Sequence, residues 1–179
     1  MACSDPYWQT PLPSPNHPLR QWLAARGSLT ARLRSRAGSF RVATLCQQLA
    51  LPVHDEAALL GLPPQRLALV REVVLHCDEL PTVFAHSIVV AADVRHPWRF
   101  VASLGNRPLG AVLFSDPRIE RAPLHFKTLD RHHPLYRRAA AQLPQVPPRL
   151  WARRSLFRLE DAPLLVTEVF LPTVMELGK

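Results

Sequence analysis

Leu67-Ala68-Leu69-Val70-Arg71-Glu72-Val73-Val74-Leu75-His76-Cys77 and Thr82-Val83-Phe84-Ala85-His86-Ser87-Ile88-Val89-Val90 are two runs rich in branched and aromatic residues, joined around Asp78-Glu79-Leu80-Pro81. Such side chains suit a pleated, half-buried surface, and an acidic joint ending in proline suits a turn. The two runs therefore predict an antiparallel hairpin. A second pair closes the chain: a strand over 150–159, the turn Glu160-Asp161-Ala162, and a strand over 163–171 ended by Pro172. Two further strands read over 40–51 and 119–129. Strands joined by hairpins imply an antiparallel sheet with helices segregated to one face, an α+β fold.

Working outward, helices are expected over 18–25, ended by Gly27, and over 29–36, with Ser28 as N-cap and Gly38 as the stop. Others fall over 55–60 and 133–142, with a pair over 97–103 and 108–114 flanking Gly105-Asn106. Residues 1–18 carry Pro6, Pro11, Pro13, Pro15 and Pro18 and read as an extended arm. No repeat or linker divides the 179 residues, so one domain over 1–179 is expected.

Lys and Arg number 22 against 14 acids, a formal charge of +8. That balance favours anionic partners without choosing among them. The basic residues are scattered, with no basic tail and no aromatic–basic interleaving, so nucleic acid is not an expected partner. Cys3, Cys46 and Cys77 share no CxxC spacing, which argues against a disulfide framework or a cysteine zinc site and for a reducing compartment. No apolar run approaches the roughly 20 residues that span a bilayer, and residues 1–18 lack the apolar core of a signal peptide. A cytoplasmic protein is expected. The histidines lack metal-site spacing, no serine sits in a nucleophile elbow, and no glycine-rich phosphate loop is present. Metal, nucleotide and covalent chemistry have no support.

Two strands break the local rule. Alternation puts Arg71 on the face of Leu69, Val73 and Leu75, and Glu168 on the face of Leu164, Val166 and Phe170. A charge in such company is costly unless it is paired or meets a ligand; the alternative is a solvated face. If Ser28 caps a helix and Pro108 starts one, the N–H groups of Leu29 and Leu109 lack intrahelical acceptors, as first-turn amides do in every helix.

Ser28-Leu29-Thr30, Arg71-Glu72-Val73-Val74-Leu75, Leu104-Gly105-Asn106-Arg107-Pro108-Leu109-Gly110, Leu150-Trp151-Ala152-Arg153-Arg154-Ser155 and Thr167-Glu168-Val169-Phe170-Leu171-Pro172 occur in this order. Together, over about 20–172, they resemble the bacterial chorismate pyruvate-lyases. The resemblance implies a monomeric α+β fold with a closed pocket under two helical flaps, and cofactor-free conversion of chorismate to 4-hydroxybenzoate and pyruvate for ubiquinone synthesis. It implies that Arg71 and the amides of Leu29 and Leu109 meet the ring carboxylate, and that Glu168 meets the ring hydroxyl, either orienting it or moving a proton. The substrate's second carboxylate needs another cation, for which Arg153, Arg154 and His86 stand as candidates. The chain departs from the family pattern at His86 (usually Arg), Val90 (usually Pro) and Ala152 (usually Gly). Segment 118–148 is longer than usual and is expected in or near a flap; with 108–114 it is a candidate moving cover. The same fold resembles effector-sensing domains of some transcription regulators, so the alternative is a non-catalytic small-molecule-binding module.

Overall fold

In a computed structural model, which describes residues 7, 8, 11–63 and 65–177, the chain begins with α1 (Arg20–Leu23), α2 (Leu29–Arg34), β1 (Phe40–Ala50), α3 (His54–Ala57), β2 (Ala68–Cys77) and β3 (Leu80–Val90). A 3-10 helix (Arg99–Ser103), α4 (Leu109–Leu113), β4 (Glu120–Arg121), β5 (His125–Leu129) and α5 (Pro134–Ala140) follow. The chain ends with β6 (Leu150–Leu159), β7 (Ala162–Phe170) and a 3-10 helix (Pro172–Glu176). The strands form one antiparallel sheet in the order β1-β2-β3-β7-β6-β4, with β5 also paired to β6.

Both expected hairpins form, with tighter turns than the sequence suggested. Asp78 and Glu79 take φ of 49° and 64°, and Glu160 and Asp161 take 51° and 64°. Paired left-handed residues match the twist of the strands they join, so β3 already begins at Leu80 and β7 at Ala162. The second turn pairs Leu159 with Ala162, and that register sets Arg153 directly opposite Glu168. The strand expected over 119–129 divides into β4 and β5. Pro123 has no N–H to give the ladder, and the chain crosses 122–124 before pairing resumes at His125 with Arg154.

Alternation sorts the side chains onto two faces. On one face, Val73, Leu75, Val83, Ala85 and Phe170 pack against Trp22, Leu23, Leu29 and Leu33 of α1 and α2. Val89, Phe157 and Leu164 of that face pack against Val101, Leu109 and Leu113. The expectation of helices on one face is met by these elements and corrected by two others. α5 packs Leu135, Tyr136 and Ala139 onto Val74, Phe84 and Val169 on the opposite face, and Leu60, just beyond α3, packs there with Val70, Ile88 and Leu165. The cause is that β2 and β3 are buried along both faces, and an apolar face left open would remain in water.

Within the expected arm, residues 1–6, 9 and 10 lie outside those described. Residues 7, 8 and 11–18 form neither helix nor strand. They are anchored all the same: Trp8 is fully buried in the α5 cluster, and its indole donates to Asp55 Oδ2 at 2.6 Å.

The opposite face also carries charge. His86 lies between two acids, with Nδ1 2.9 Å from Glu72 Oε1 and Nε2 3.2 Å from Glu56 Oε1. Arg138 of α5 reaches Glu72 as well, and the Cys46 thiol of β1 lies 3.6 Å from Glu72 Oε2. Burial alone would push the His86 imidazolium down, but Glu56 and Glu72 outweigh it and raise its pKa from 6.5 to about 9. A cationic group raised on folding stabilises the fold fully below its unfolded pKa, and that contribution fades as pH climbs through the folded value. The midpoint of thermal unfolding should therefore fall as pH rises from 6.5 to beyond about 9. His86→Gln should lower the midpoint at pH 6.5 by at least about 3 °C and flatten the alkaline fall. An alkaline fall unchanged in His86→Gln, measured by calorimetry, would refute this origin.

Candidate active site

Between the first face and its helical covers lies a cavity with about 50 Å³ of room for the centre of a water-sized sphere, or about 600 Å³ with its open mouth counted. The sheet supplies its floor through Arg71 and Val73 of β2, Ala85 and Ser87 of β3, Val166 and Glu168 of β7, and Arg153 and Ser155 of β6. The roof comes from Leu29 and Thr30 of α2 and from the stretch of Pro108 to Gly110 that opens α4. The four positions singled out in the sequence, Arg71, Glu168, Leu29 and Leu109, thus border one space.

Arg71 is 1% exposed and has no carboxylate within ion-pair distance among the described residues. Its Nη2 donates to Gly105 O at 2.9 Å and Arg107 O at 3.0 Å, while its Nε is buried without a partner. Burial pushes its pKa down, yet a guanidinium stays charged at neutral pH. The same side chain therefore pins the turn ahead of α4 and lines the cavity with a charge that no described carboxylate pairs. Gly105 holds that turn with φ of 52°, and its carbonyl also accepts from Thr44 Oγ1 of β1 at 2.9 Å.

The two helix starts meet above it. Ser28 caps α2 by accepting from Ala31 N–H at 3.2 Å, and Pro108 precedes α4 in extended conformation. Neither the Leu29 nor the Leu109 N–H has a hydrogen-bond acceptor among the described residues. Gly110 permits the approach, since a Cβ there would stand 3.2 Å from Thr30 Oγ1.

Glu168 is held from below. Arg153 Nε donates to its Oε2 at 2.5 Å. Arg153 Nη1 donates to the carbonyls of Trp22, Leu23 and Ala25 at 2.9, 3.2 and 2.7 Å, where the last carbonyls of α1 welcome a cation. The Arg153 Nη2 is buried and unpartnered.

Two of the cations considered for a second carboxylate fall away from the cavity. His86 and Arg154 point to the opposite face because each is one residue out of step with the cavity-lining Ser87 and Arg153. Arg154 is paired there with Asp55 Oδ2 at 3.0 Å and lies over the Trp8 ring at 4.4 Å. Segment 118–148, expected in or near a flap, is also corrected: α5 packs on the far face, and among the described residues the segment gives the cavity only Arg121. Arg121 was missed in the sequence because its side depends on the register offset at Pro123, which no local pattern announces. It sits opposite Phe157, and its guanidinium carbon lies 5.3 Å from the ring centres of both Phe114 and Phe157.

The family model described as chorismate lyase matches residues 3–177. A probable chorismate pyruvate-lyase of Aromatoleum aromaticum is 55% identical over 174 residues, covering 95% of this chain and 94% of that protein. Another from Nitrosomonas europaea is 51% identical over 159 residues, covering 89% of each. Among solved structures, PhnF from Mycobacterium smegmatis superposes with a TM-score of 0.58 at 16% identity, over 85% of this chain and 67% of that one. The effector domain of PhnF gives 0.56 at 15% identity, over 83% and 90%. At such identities the likeness is one of fold. The family match over nearly the whole chain, with relatives about half identical along it, shows that this chain belongs to the chorismate lyase family.

Proposed function

We propose that the cavity converts chorismate to 4-hydroxybenzoate and pyruvate. The observation that carries this reading is the buried Arg71, a cation with an orphan Nε and no acid of its own, facing the same cavity as Glu168 two strands away. A ring with a carboxylate at one end and a hydroxyl at the other satisfies both.

Arg71 with the amides of Leu29 and Leu109 takes the ring carboxylate through charge-assisted bonds. Glu168, fixed by Arg153, accepts from the hydroxyl on the opposite ring carbon. The ether bond to the three-carbon arm then breaks, the hydrogen on the hydroxyl-bearing carbon is lost, and the arm leaves as pyruvate once its methylene carbon gains a hydrogen. Aromatisation drives the reaction, so the side chains need only position the substrate and stabilise charge. We place the enzyme as a cytoplasmic monomer supplying 4-hydroxybenzoate to ubiquinone synthesis. No helix among the described residues is long and apolar enough to cross a membrane. Incubation with chorismate, followed by chromatography, should give pyruvate and 4-hydroxybenzoate in equal amounts. Binding of either compound without turnover would leave an effector-binding module instead.

Arg71→Ala should weaken 4-hydroxybenzoate by about 3 kcal/mol, since it leaves the anion unpaired in a dry site. Arg71→Lys should recover part of that loss, lacking the planar fork. A folded alanine variant with unchanged affinity by calorimetry would remove Arg71 from the site. Glu168→Gln keeps shape but loses charge, and a role in moving the proton predicts a fall in turnover of about 10²-fold or more. A loss confined to product affinity would reduce Glu168 to orienting the hydroxyl, and no change in either would remove it from the site.

A further inference from the structure

Among the described residues, the charged ones bordering the cavity are Arg71, Arg121, Arg153 and Glu168. Three guanidiniums face one carboxylate, so two positive charges lack a counterpart within the wall. One belongs to Arg71, at the end of the cavity assigned to the ring carboxylate. The other lies at the opposite end, where Arg121 and Arg153 come together. Arg153 Nη1 holds the Ala25 carbonyl at 2.7 Å and Arg121 Nη1 holds the next one, Arg26 O, at 2.5 Å. Two guanidiniums on successive carbonyls are neighbours, even though their backbones stand four residues apart along β6. Like charges so close are costly unless an anion joins them.

The two are not equally available. Arg153 is fully buried, and it is already committed to Glu168 and three carbonyls. Among the described residues, Arg121 has a single hydrogen bond, to a neutral carbonyl, and a buried Nε with no partner. Its head lies against the edge-to-face pair of Phe114, just beyond α4, and Phe157 of the sheet, 5.3 Å from each ring centre, contacts that leave its donors unused. Arg121 also borders an open groove outside the cavity, beside Arg26 and Phe126, so it stands at the mouth. Burial lowers its pKa while Glu168 opposes that fall, which agrees with a charge set near Glu168.

Resting on the lyase reading, we propose that Arg121 is the specificity-determining cation that receives the second carboxylate, the one on the three-carbon ether arm of the substrate. In chorismate the ether arm is attached next to the hydroxyl-bearing carbon and thus leaves the ring on the Glu168 side, away from Arg71. The next cations in that direction are the Arg153–Arg121 pair. Chorismate is a dianion and meets both uncompensated charges of the wall. 4-Hydroxybenzoate carries one carboxylate and leaves Arg121 unused, so this residue separates substrate from product.

The test uses an unreactive dianion, 3-(carboxymethoxy)-4-hydroxybenzoate, beside 4-hydroxybenzoate, with affinities by calorimetry for the wild type, Arg121→Met and Arg121→Lys. Methionine keeps length and apolar contact with the two rings. Arg121→Met should weaken the dianion by about tenfold or more, with Arg121→Lys in between. 4-Hydroxybenzoate should change by no more than about twofold. With chorismate itself, KM should rise in step with the loss of dianion affinity. Parallel loss of both ligands would make Arg121 a packing residue of the mouth, and an unchanged dianion affinity would place the second carboxylate elsewhere; either result overturns the proposal. A wild type that prefers the dianion yet releases no pyruvate from chorismate would instead fail the lyase reading and leave Arg121 as a recognition residue.

Discussion

A guanidinium buried without an acid, Arg71, is the constraint around which the site is arranged. Taking it out of water is expensive, and the protein answers with the carbonyls of Gly105 and Arg107 rather than with a carboxylate. That choice has two consequences. The carbonyls belong to the turn that launches α4, so the cation fixes where Leu109 N–H stands and how Gly110 meets Thr30 on α2. Because neither carbonyl carries a charge, the positive charge survives for a ligand. An acid in their place would have made Arg71 a closed ion pair.

The contrast between the two faces of the sheet shows what that openness means. Arg71 and Glu72, Ser87 and His86, and Arg153 and Arg154 are neighbours in sequence, and alternation sends each pair to opposite sides. On the far face Glu72 joins His86 and Arg138, and Arg154 joins Asp55. These contacts tie α3 and α5 to the sheet. On the near face the cations keep free donors: Arg71 Nε, Arg121 Nε and Arg153 Nη2. The far-face charges pair with one another, and the proposed role of the near-face cations is to meet an anion. His86, where the resemblance leads one to expect Arg, falls on the face away from the cavity, so its predicted effect is on the pH response of stability.

Much of this was legible because a β-strand has a period of two. Arg71 and Glu168 stood out as charges in apolar register, and both border the cavity. Ser28 announced the start of α2 through its cap. The contact between Arg153 and Glu168 was hidden, since it depends on a turn of two residues; one residue more would have moved Arg153 opposite Val169. Arg121 was hidden for a related reason, the interruption at Pro123. The burial of the far face under α5 was implicit in the apolar residues at both odd and even positions of β2 and β3, such as Val73 beside Val74 and Phe84 beside Ala85, but which helix would cover it depends on contacts distant in sequence.

The central claim is that one cavity holds a ring between the Arg71 end and the Glu168 end. Its most direct test is a crystal structure with 4-hydroxybenzoate bound. The ligand carboxylate is expected on Arg71 and the N–H groups of Leu29 and Leu109, with the ring hydroxyl on Glu168. A ring bound in the reverse sense, or a ligand seated in the outer groove beside Asp55 and His133 with the cavity vacant, would contradict it.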